Sequence, residues 1–453
     1  MTQRRLQKPQ GYRTARCLQR LVKVKPEETS ALLWSFLYFF SLLCSYYILR
    51  PLRDEMGISA GIEHLQWVFT GTFIAMLVAV PIFGYVATRM PIRRLLPVVY
   101  GFFILNILIF FVLLQINVSQ TAVSQAFFIW TSVFNLFVVS IFWSFMADLF
   151  SNAQARRLFG FIAAGGSAGA IAGPSLTTML VGIVGPVNLL LISAAWLTTA
   201  VLCIRRLTRW NRPLPQGNMD TNAPRLVDAP GSRSMQRRDV PLGGSILDGI
   251  RLVLYSPYLL GICLFIWFYT NLSTFLYFEQ AHIVSNAFQD PAERTALFAS
   301  IDLLVNVLTI GLQLFLTGRI IARVGLPITL ALLPFLMACG FVGLGLAPIL
   351  PVLILFQVIR RAGNYALARP AREVLYTVVA REAKYKAKNF IDTVVYRAGD
   401  AISSWLFAGL KGIGLSLSSM AFLAVPIAVL CLCTGLLLGR KQEELRVTKP
   451  HES

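Results

Sequence analysis

Four charged residues, Arg50, Arg53, Asp54 and Glu55, stand at the far end of an apolar stretch that begins near Ala31, in the run "YYILRPLRDE". A later apolar stretch holds Arg360, Arg361, Asn364, Arg369, Arg372 and Glu373. Another holds Asp392, Arg397 and Asp400, and two more contribute Asp302 and Glu279. The planar fork of donors on arginine matches the oxygens of phosphate and carboxylate. The chemistry open to such a set is the binding of an anion, with carboxylates as exchangeable counter-charges or proton carriers. Covalent catalysis is not expected. His64, His282 and His451 are scattered, and no serine–histidine or paired-carboxylate arrangement is found. The seven cysteines form no CxxC, so neither a zinc site nor a disulfide framework is expected. An enzyme, a cofactor and a metal are all outside the expectation.

The elements that must position these charges are read from the apolar pattern. The chain has 453 residues, 56% hydrophobic and 14% charged, whereas soluble domains carry about 25% charged residues. The apolar residues gather into runs of about 20, the length that crosses a hydrocarbon core of roughly 30 Å as a helix. Strand alternation is absent, which argues against a membrane barrel. Twelve spans are expected, over 28–49, 65–87, 95–114, 126–149, 158–183, 186–204, 256–278, 296–318, 325–347, 351–379, 389–410 and 416–438. The expected fold class is all-α integral membrane, with twelve transmembrane helices in two six-helix bundles.

The net charge of +20 is distributed in a way that argues against nucleic acid as the partner. Of 41 Lys and Arg residues, 32 fall in the two tails and in alternate connections, all on one side if twelve helices alternate. That is the positive-inside pattern, so both termini are expected to be cytoplasmic, in a multi-pass protein of the cell inner membrane. The partners expected are the lipid bilayer and a small solute, with the protein a monomer. Residues 205–251 hold nine Arg, four Asp and several Pro and Gly, the composition of a flexible linker. The expected organisation is a basic tail over 1–27, a bundle over 28–204, a linker over 205–255, a second bundle over 256–438 and a tail over 439–453.

The halves echo each other faintly. Gly84 and Arg89 follow the second span, and Gly318 and Arg323 follow the eighth, at the same spacing. Two parallel six-helix halves joined by a basic loop are the plan of the major facilitator superfamily. The turn "GYVATRMPIRR", Gly84 to Arg94, resembles that superfamily's signature loop, with Thr88 where the loop carries an acid. In the fifth span, "GFIAAGGSAGAIAGP", Gly165, Gly169 and Gly173 fall four apart before Pro174. Small residues at that spacing let helix backbones approach closely in lipid. The same run resembles the superfamily's antiporter motif, with Thr177 and Thr178 in place of its last two glycines. A nucleotide-cradling glycine loop would need a preceding strand, and none is expected here.

An ionised side chain at mid-bilayer is costly, so it faces the bundle interior and pairs or serves function. At helical spacing Arg361, Tyr365, Arg369 and Arg372 share one face, as do Asp392, Tyr396 and Asp400. Pro370 is an expected kink. The charges could simply neutralise one another, Asp400 with Arg397 and Glu373 with Arg369 or Arg372. The tenth and eleventh spans nevertheless carry five Arg against three acids, and Arg50 and Arg53 add two more. Uncompensated buried charge is expensive unless a wet cavity or an anion meets it. The expected anion-binding residues are Arg50, Arg53, Arg360, Arg361, Asn364 and Arg397. Asp54, Asp302, Glu373, Asp392 and Asp400 are the expected coupling or gating residues.

The run "YYILRPLRD" resembles the first-helix motif of the ATP:ADP antiporter family, with Tyr46, Ile48, Leu49, Arg50, Arg53 and Asp54 at its matching positions. "FWSFMADLF", Phe142 to Phe150, resembles the end of that family's fourth helix, and "KAKNFIDTVVYRAGD", Lys386 to Asp400, resembles the entry to its eleventh. The likeness covers most of the twelve-span region and includes the family's distant, shorter bacterial branch. It implies a proton-independent exchanger of adenine nucleotides in which Arg53 is important for transport. The family's fourth helix also carries a glutamate, and no acid precedes Asp148 there in this chain. The expected function is thus secondary transport by alternating access, exchanging an anionic solute such as ATP and ADP or another phosphorylated compound. A proton-coupled transporter of an unrelated solute and a non-transporting membrane receptor or scaffold stand as alternatives.

Overall fold

The computed structural model describes residues 24–25, 28–90, 92–210, 246–380, 387–388 and 390–448. Within them the chain is helical and arranged as two six-helix bundles. The first contains α1 (Thr29–Ser59), α2 (Leu65–Arg89), α3 (Ile92–Gln115), α4 (Gln120–Leu149), α5 (Asn152–Val184) and α6 (Leu189–Trp210). The second contains α7 (Pro257–Ala287), α8 (Pro291–Phe315), α9 (Leu326–Leu346), α10 (350–375), α11 (391–412) and α12 (Leu417–Thr448). A short helix, Ile246–Tyr255, precedes α7, and another, Thr317–Val324, joins α8 to α9.

Ten of these helices are long and apolar enough to cross a bilayer on length and composition. The other two, which carry Arg360, Arg361, Arg369, Arg372 and Arg397, are interrupted. In α10, Leu350–Gly363 passes through a π turn, Asn364–Ala368, into Arg369–Leu375. In α11, a π turn, Ile391–Val395, runs into Tyr396–Gly412. Pro370 supplies a cause for the first. Proline has no N–H to give the carbonyl four residues back and its ring crowds that carbonyl, which is that of Ala366. A widened turn relieves the clash. The freed acceptor is met from outside the helix: Thr317 Oγ1 donates to the Ala366 carbonyl at 2.8 Å, and Gln313 Nε2 to that of Tyr365 at 3.3 Å.

Each bundle buries its own apolar core. One core gathers side chains of α1 to α6, including Tyr38, Phe127, Phe142 and Leu197, and the other gathers side chains of α7 to α12, including Phe275, Phe341 and Phe407. Because lipid is as apolar as these cores, close packing and polar bonds hold the helices together. Ser45 and Ser193 tie α1 to α6 at 2.8 Å, and Tyr38 donates to Tyr100 of α3 at 2.6 Å. The glycines of α5 sit against α1. A Cβ on Gly165 would stand 2.6 Å from the Phe36 carbonyl oxygen, and one on Gly173 would stand 2.8 Å from that of Cys44. A Cβ on Gly169 would run into the Phe40 carbonyl. Pro174 lies inside the continuous helix α5.

Several expected boundaries are corrected. α1 continues to Ser59 instead of ending at 49, because Pro51 is accommodated without a break. Arg50, Arg53, Asp54 and Glu55 are therefore inside the helix, where packing against the second bundle covers them. α8 begins at Pro291, with Asp290 capping it through the Ala292 N–H, and this brings Arg294 into the helix. α6 runs past 204 to Trp210 and α12 past 438 to Thr448. Most of the expected tail over 1–27, and residues 211–245 of the expected linker, lie outside the described residues.

Candidate functional site

The membrane-depth charges converge where the two bundles meet. Arg50 and Arg53 come from α1, Arg360, Arg361 and Asn364 from α10 at its π turn, and Arg397 and Asp400 from α11. All seven line one cavity of about 250 Å³, with Ser273 and Tyr277 of α7 and Phe128 of α4 among its other walls. A second cavity, of about 530 Å³, lies on the side nearer the start of α1, between α1 and α5 of one bundle and α8 and α10 of the other. Tyr365, in the π turn, borders both. Arg369 and Glu373 line the larger cavity.

Most of these charges are paired. Asp302 of α8 takes a short bond from Arg361 and stands 3.7 Å from Arg50, so one carboxylate serves two guanidiniums from opposite bundles. Arg53 is 2.6 Å from Asp54, its neighbour in sequence, and lies over the Phe128 ring at 4.9 Å. Arg397 is 3.4 Å from Asp400, which also accepts from Thr274 at 3.2 Å. Arg360 differs. Its two terminal nitrogens donate to Ser273 and to Gln357, each at 3.0 Å, and among the described residues no carboxylate lies within ion-pair distance of it. Gln357 in turn donates to Gln280 of α7 at 2.6 Å.

Five guanidiniums line the smaller cavity, and three carboxylates, Asp54, Asp302 and Asp400, pair with four of them, leaving two positive charges over. The Nε donors of Arg50, Arg360 and Arg361 are buried with no protein acceptor. Such unmet donors are rare in folded proteins, and these three belong to side chains that line the smaller cavity. The surplus of arginine over acid read from the sequence is present but smaller, because Asp54 and Asp302 also pair with arginines of the set.

Two expected site residues stand apart. Asp392 is 3.7 Å from Arg372, and Glu373 is 2.6 Å from Lys388, instead of pairing with Arg369 or Arg372. Neither borders the smaller cavity. Distance along the helix accounts for this: Arg372 lies eleven residues from Arg361 and Asp392 eight from Asp400, on the order of 16 and 12 Å at helical rise.

Opposite the larger cavity, past the arginines, the bundles are joined. Arg294 donates to Glu55 and to Ser59, both at 3.0 Å. Tyr277 donates to Asp54 at 3.3 Å, and Trp405 of α11 donates to Thr70 of α2 at 3.0 Å while its ring packs on Trp67. Arg294 was missed in the sequence because it falls just outside the expected eighth span. Its only signal there is a basic residue on the side of the membrane where positive charge is scarce.

These features match a known architecture. The chain resembles, at 12% identity, the crystal structure of a mutant of the nucleoside transporter NupG, with a TM-score of 0.62 over 91% of this chain and 99% of that one. The POT family transporter PepTSo gives 15% identity and 0.61 over 91% and 98%. A bacterial homologue of the human lysosomal transporter Spinster, in an inward-facing and unoccupied conformation, gives 14% and 0.55 over 95% and 100%. At these identities the likeness is one of fold. A search of curated proteins found no match. The sequence profile described as Major Facilitator Superfamily matches residues 30–388. The chain is a multi-pass membrane protein with a transporter fold, and it belongs to the major facilitator superfamily.

Proposed function

We propose that this protein is a secondary active transporter that exchanges anionic, phosphorylated solutes across the membrane by alternating access. The observation that carries the reading is Arg360: a guanidinium at the meeting point of the bundles, bonded only to neutral partners, beside four more arginines. Excess positive charge away from bulk water is costly, and an anion in the cavity would offset it. Arg50, Arg53, Arg360, Arg361, Asn364 and Arg397 would hold the anion. Asp302 and Asp400 would release arginines to it and take them back as the bundles move, while Asp54 would belong to the closed side.

Exchange follows from the same electrostatics. A ligand shifts a conformational equilibrium only by binding one state better than another. An empty, positively charged cavity resists closing around itself, and a bound anion lowers that resistance, so the return step would be much faster with a second anion than without one. The likeness of Tyr46–Asp54 to the ATP:ADP antiporter motif supports adenine nucleotides as the first candidates. In this reading the basic tails and the connection between the bundles face the cytoplasm of a cell bounded by an inner membrane, and one chain suffices for transport.

Counterflow tests it. Vesicles containing the purified protein and loaded with unlabelled ADP should accumulate labelled ATP or another phosphorylated solute. Empty vesicles should not. Absence of counterflow for every nucleotide and sugar phosphate tried would overturn the reading.

A further inference from the structure

Six carboxylates are buried among the described residues: Glu28, Asp54, Glu55, Glu279, Asp302 and Asp400. Five have a basic partner, respectively Arg157, Arg53, Arg294, the pair Arg50 and Arg361, and Arg397. Glu279 is 1% exposed, no ion pair reaches it, and its Oε1 has no hydrogen-bond partner. It lies on α7, one turn from Leu276 and Ile283 of the second bundle's apolar core.

The charged groups around it are all engaged elsewhere or stand off. On α7 itself His282 is one turn away, stacked 6.2 Å from Phe407 of α11, with Lys411 of α11 and Glu63 of the Ile62–His64 turn beyond it, Glu63 standing 3.9 Å from His64. Toward the membrane interior, Asp400 of α11 is held by Thr274 and Arg397. From α10, Arg360 reaches only as far as Gln357, whose partner is Gln280, the residue next to Glu279. From α1, Asp54 and Glu55 face Arg53 and Arg294. α12 carries its charged residues at its opposite end, from Arg440 onward.

An ionised carboxylate in such a place would cost several kcal/mol or more. The neutral acid does not. We propose that Glu279 is a proton-binding site that couples the conformational cycle to protons: it holds its proton while the side bearing Arg294 and Glu55 is closed. When that side opens, water reaches α7, the Glu279 O–H bond gives its proton to water, and the carboxylate left behind favours the open state. Closing requires the proton to return. Such coupling goes beyond anion exchange and does not depend on it, since it concerns the protein without solute.

The test uses no solute. Spin labels at Thr121, at the start of α4, and Gln289, between α7 and α8, report separation of the bundles on the closed side, with the protein in lipid vesicles. Raising the pH should increase the population with the longer distance, by up to about tenfold in the open-to-closed ratio per pH unit, the limit for one linked proton. Glu279→Gln should stay closed at every pH. Glu279→Asp and His282→Gln should keep the response, which separates loss of the proton site from loss of folding and from titration of the neighbouring histidine. A Glu279→Gln protein with the parent pH response, or a parent protein with none, overturns the proposal.

Discussion

Arg50 of α1 stands 3.7 Å from Asp302 of α8, an ion pair that crosses from one bundle to the other at the depth of the cavity. The same carboxylate bonds Arg361. A carboxylate already seated between two arginines has the charge and shape that an incoming anion would need.

Asp302→Asn therefore separates stability from binding. Removing one partner of a buried pair typically costs about 3–5 kcal/mol, so the solute-free protein should melt at a lower temperature. The anion that the cavity accepts should recover more of that loss in the variant than it adds to the parent, because its competitor is gone. Melting curves with and without the anion check this. A smaller ligand effect in Asp302→Asn would mean that the carboxylate does not compete for the arginines.

The Arg294–Glu55 pair closes the side opposite the larger cavity, with both side chains at most 10% exposed. Arg294→Ala should weaken that closure. A cysteine placed at Ser59, which also binds Arg294, should then react with a membrane-impermeant thiol reagent several-fold faster than in the parent. An unchanged rate would show that the aromatic contact of Trp67 with Trp405 closes this side on its own.

At the other end of α1, Glu28 is buried. Burial pushes its carboxyl upward, but bonds from Gln154, the Lys25 backbone and Arg157 outweigh this and hold it below the ordinary carboxylate range. A lowered value means the contribution is intact above the ordinary carboxylate range and fades as pH falls through the folded value. Acidification through that lowered value should loosen the start of α1 from α5 in hydrogen-exchange measurements, and Glu28→Gln should lose that acid sensitivity.

Much of this was legible in the sequence. The two-bundle fold came from apolar runs and the placement of basic residues, because bilayer thickness sets the first and membrane orientation the second. The convergence of Arg50, Arg53, Arg360, Arg361 and Arg397 also followed from the cost of isolated charge in lipid. Of their partners, only Asp400 for Arg397, three residues along the same helix, was legible. Asp302 lies far in sequence from Arg50, and no local spacing predicts their meeting. The π turns of α10 and α11 were not legible either, and only Pro370 hinted at one of them.

Gly169 gives a test of the packing beneath the site. A Cβ there meets the Phe40 carbonyl, and backbone cannot yield as a side chain can. Gly169→Leu should destabilise the protein by at least the roughly 1–3 kcal/mol of an overpacked core. Gly160→Leu, where nothing lies within 4 Å of the new atom, should be nearly neutral. Equal melting temperatures for the two variants would contradict the close approach of α5 to α1.

The central claim is that an anion meets the excess charge at Arg360. Thermal unfolding of the purified protein, titrated with nucleotides and sugar phosphates, tests it most directly alongside Arg360→Met. A ligand present at a hundred times its dissociation constant stabilises by about 2.7 kcal/mol. The account predicts a rise of this kind for at least one phosphorylated compound, weakened by salt and lost in Arg360→Met. No stabilisation by any anion, or an equal rise in the variant, would contradict it.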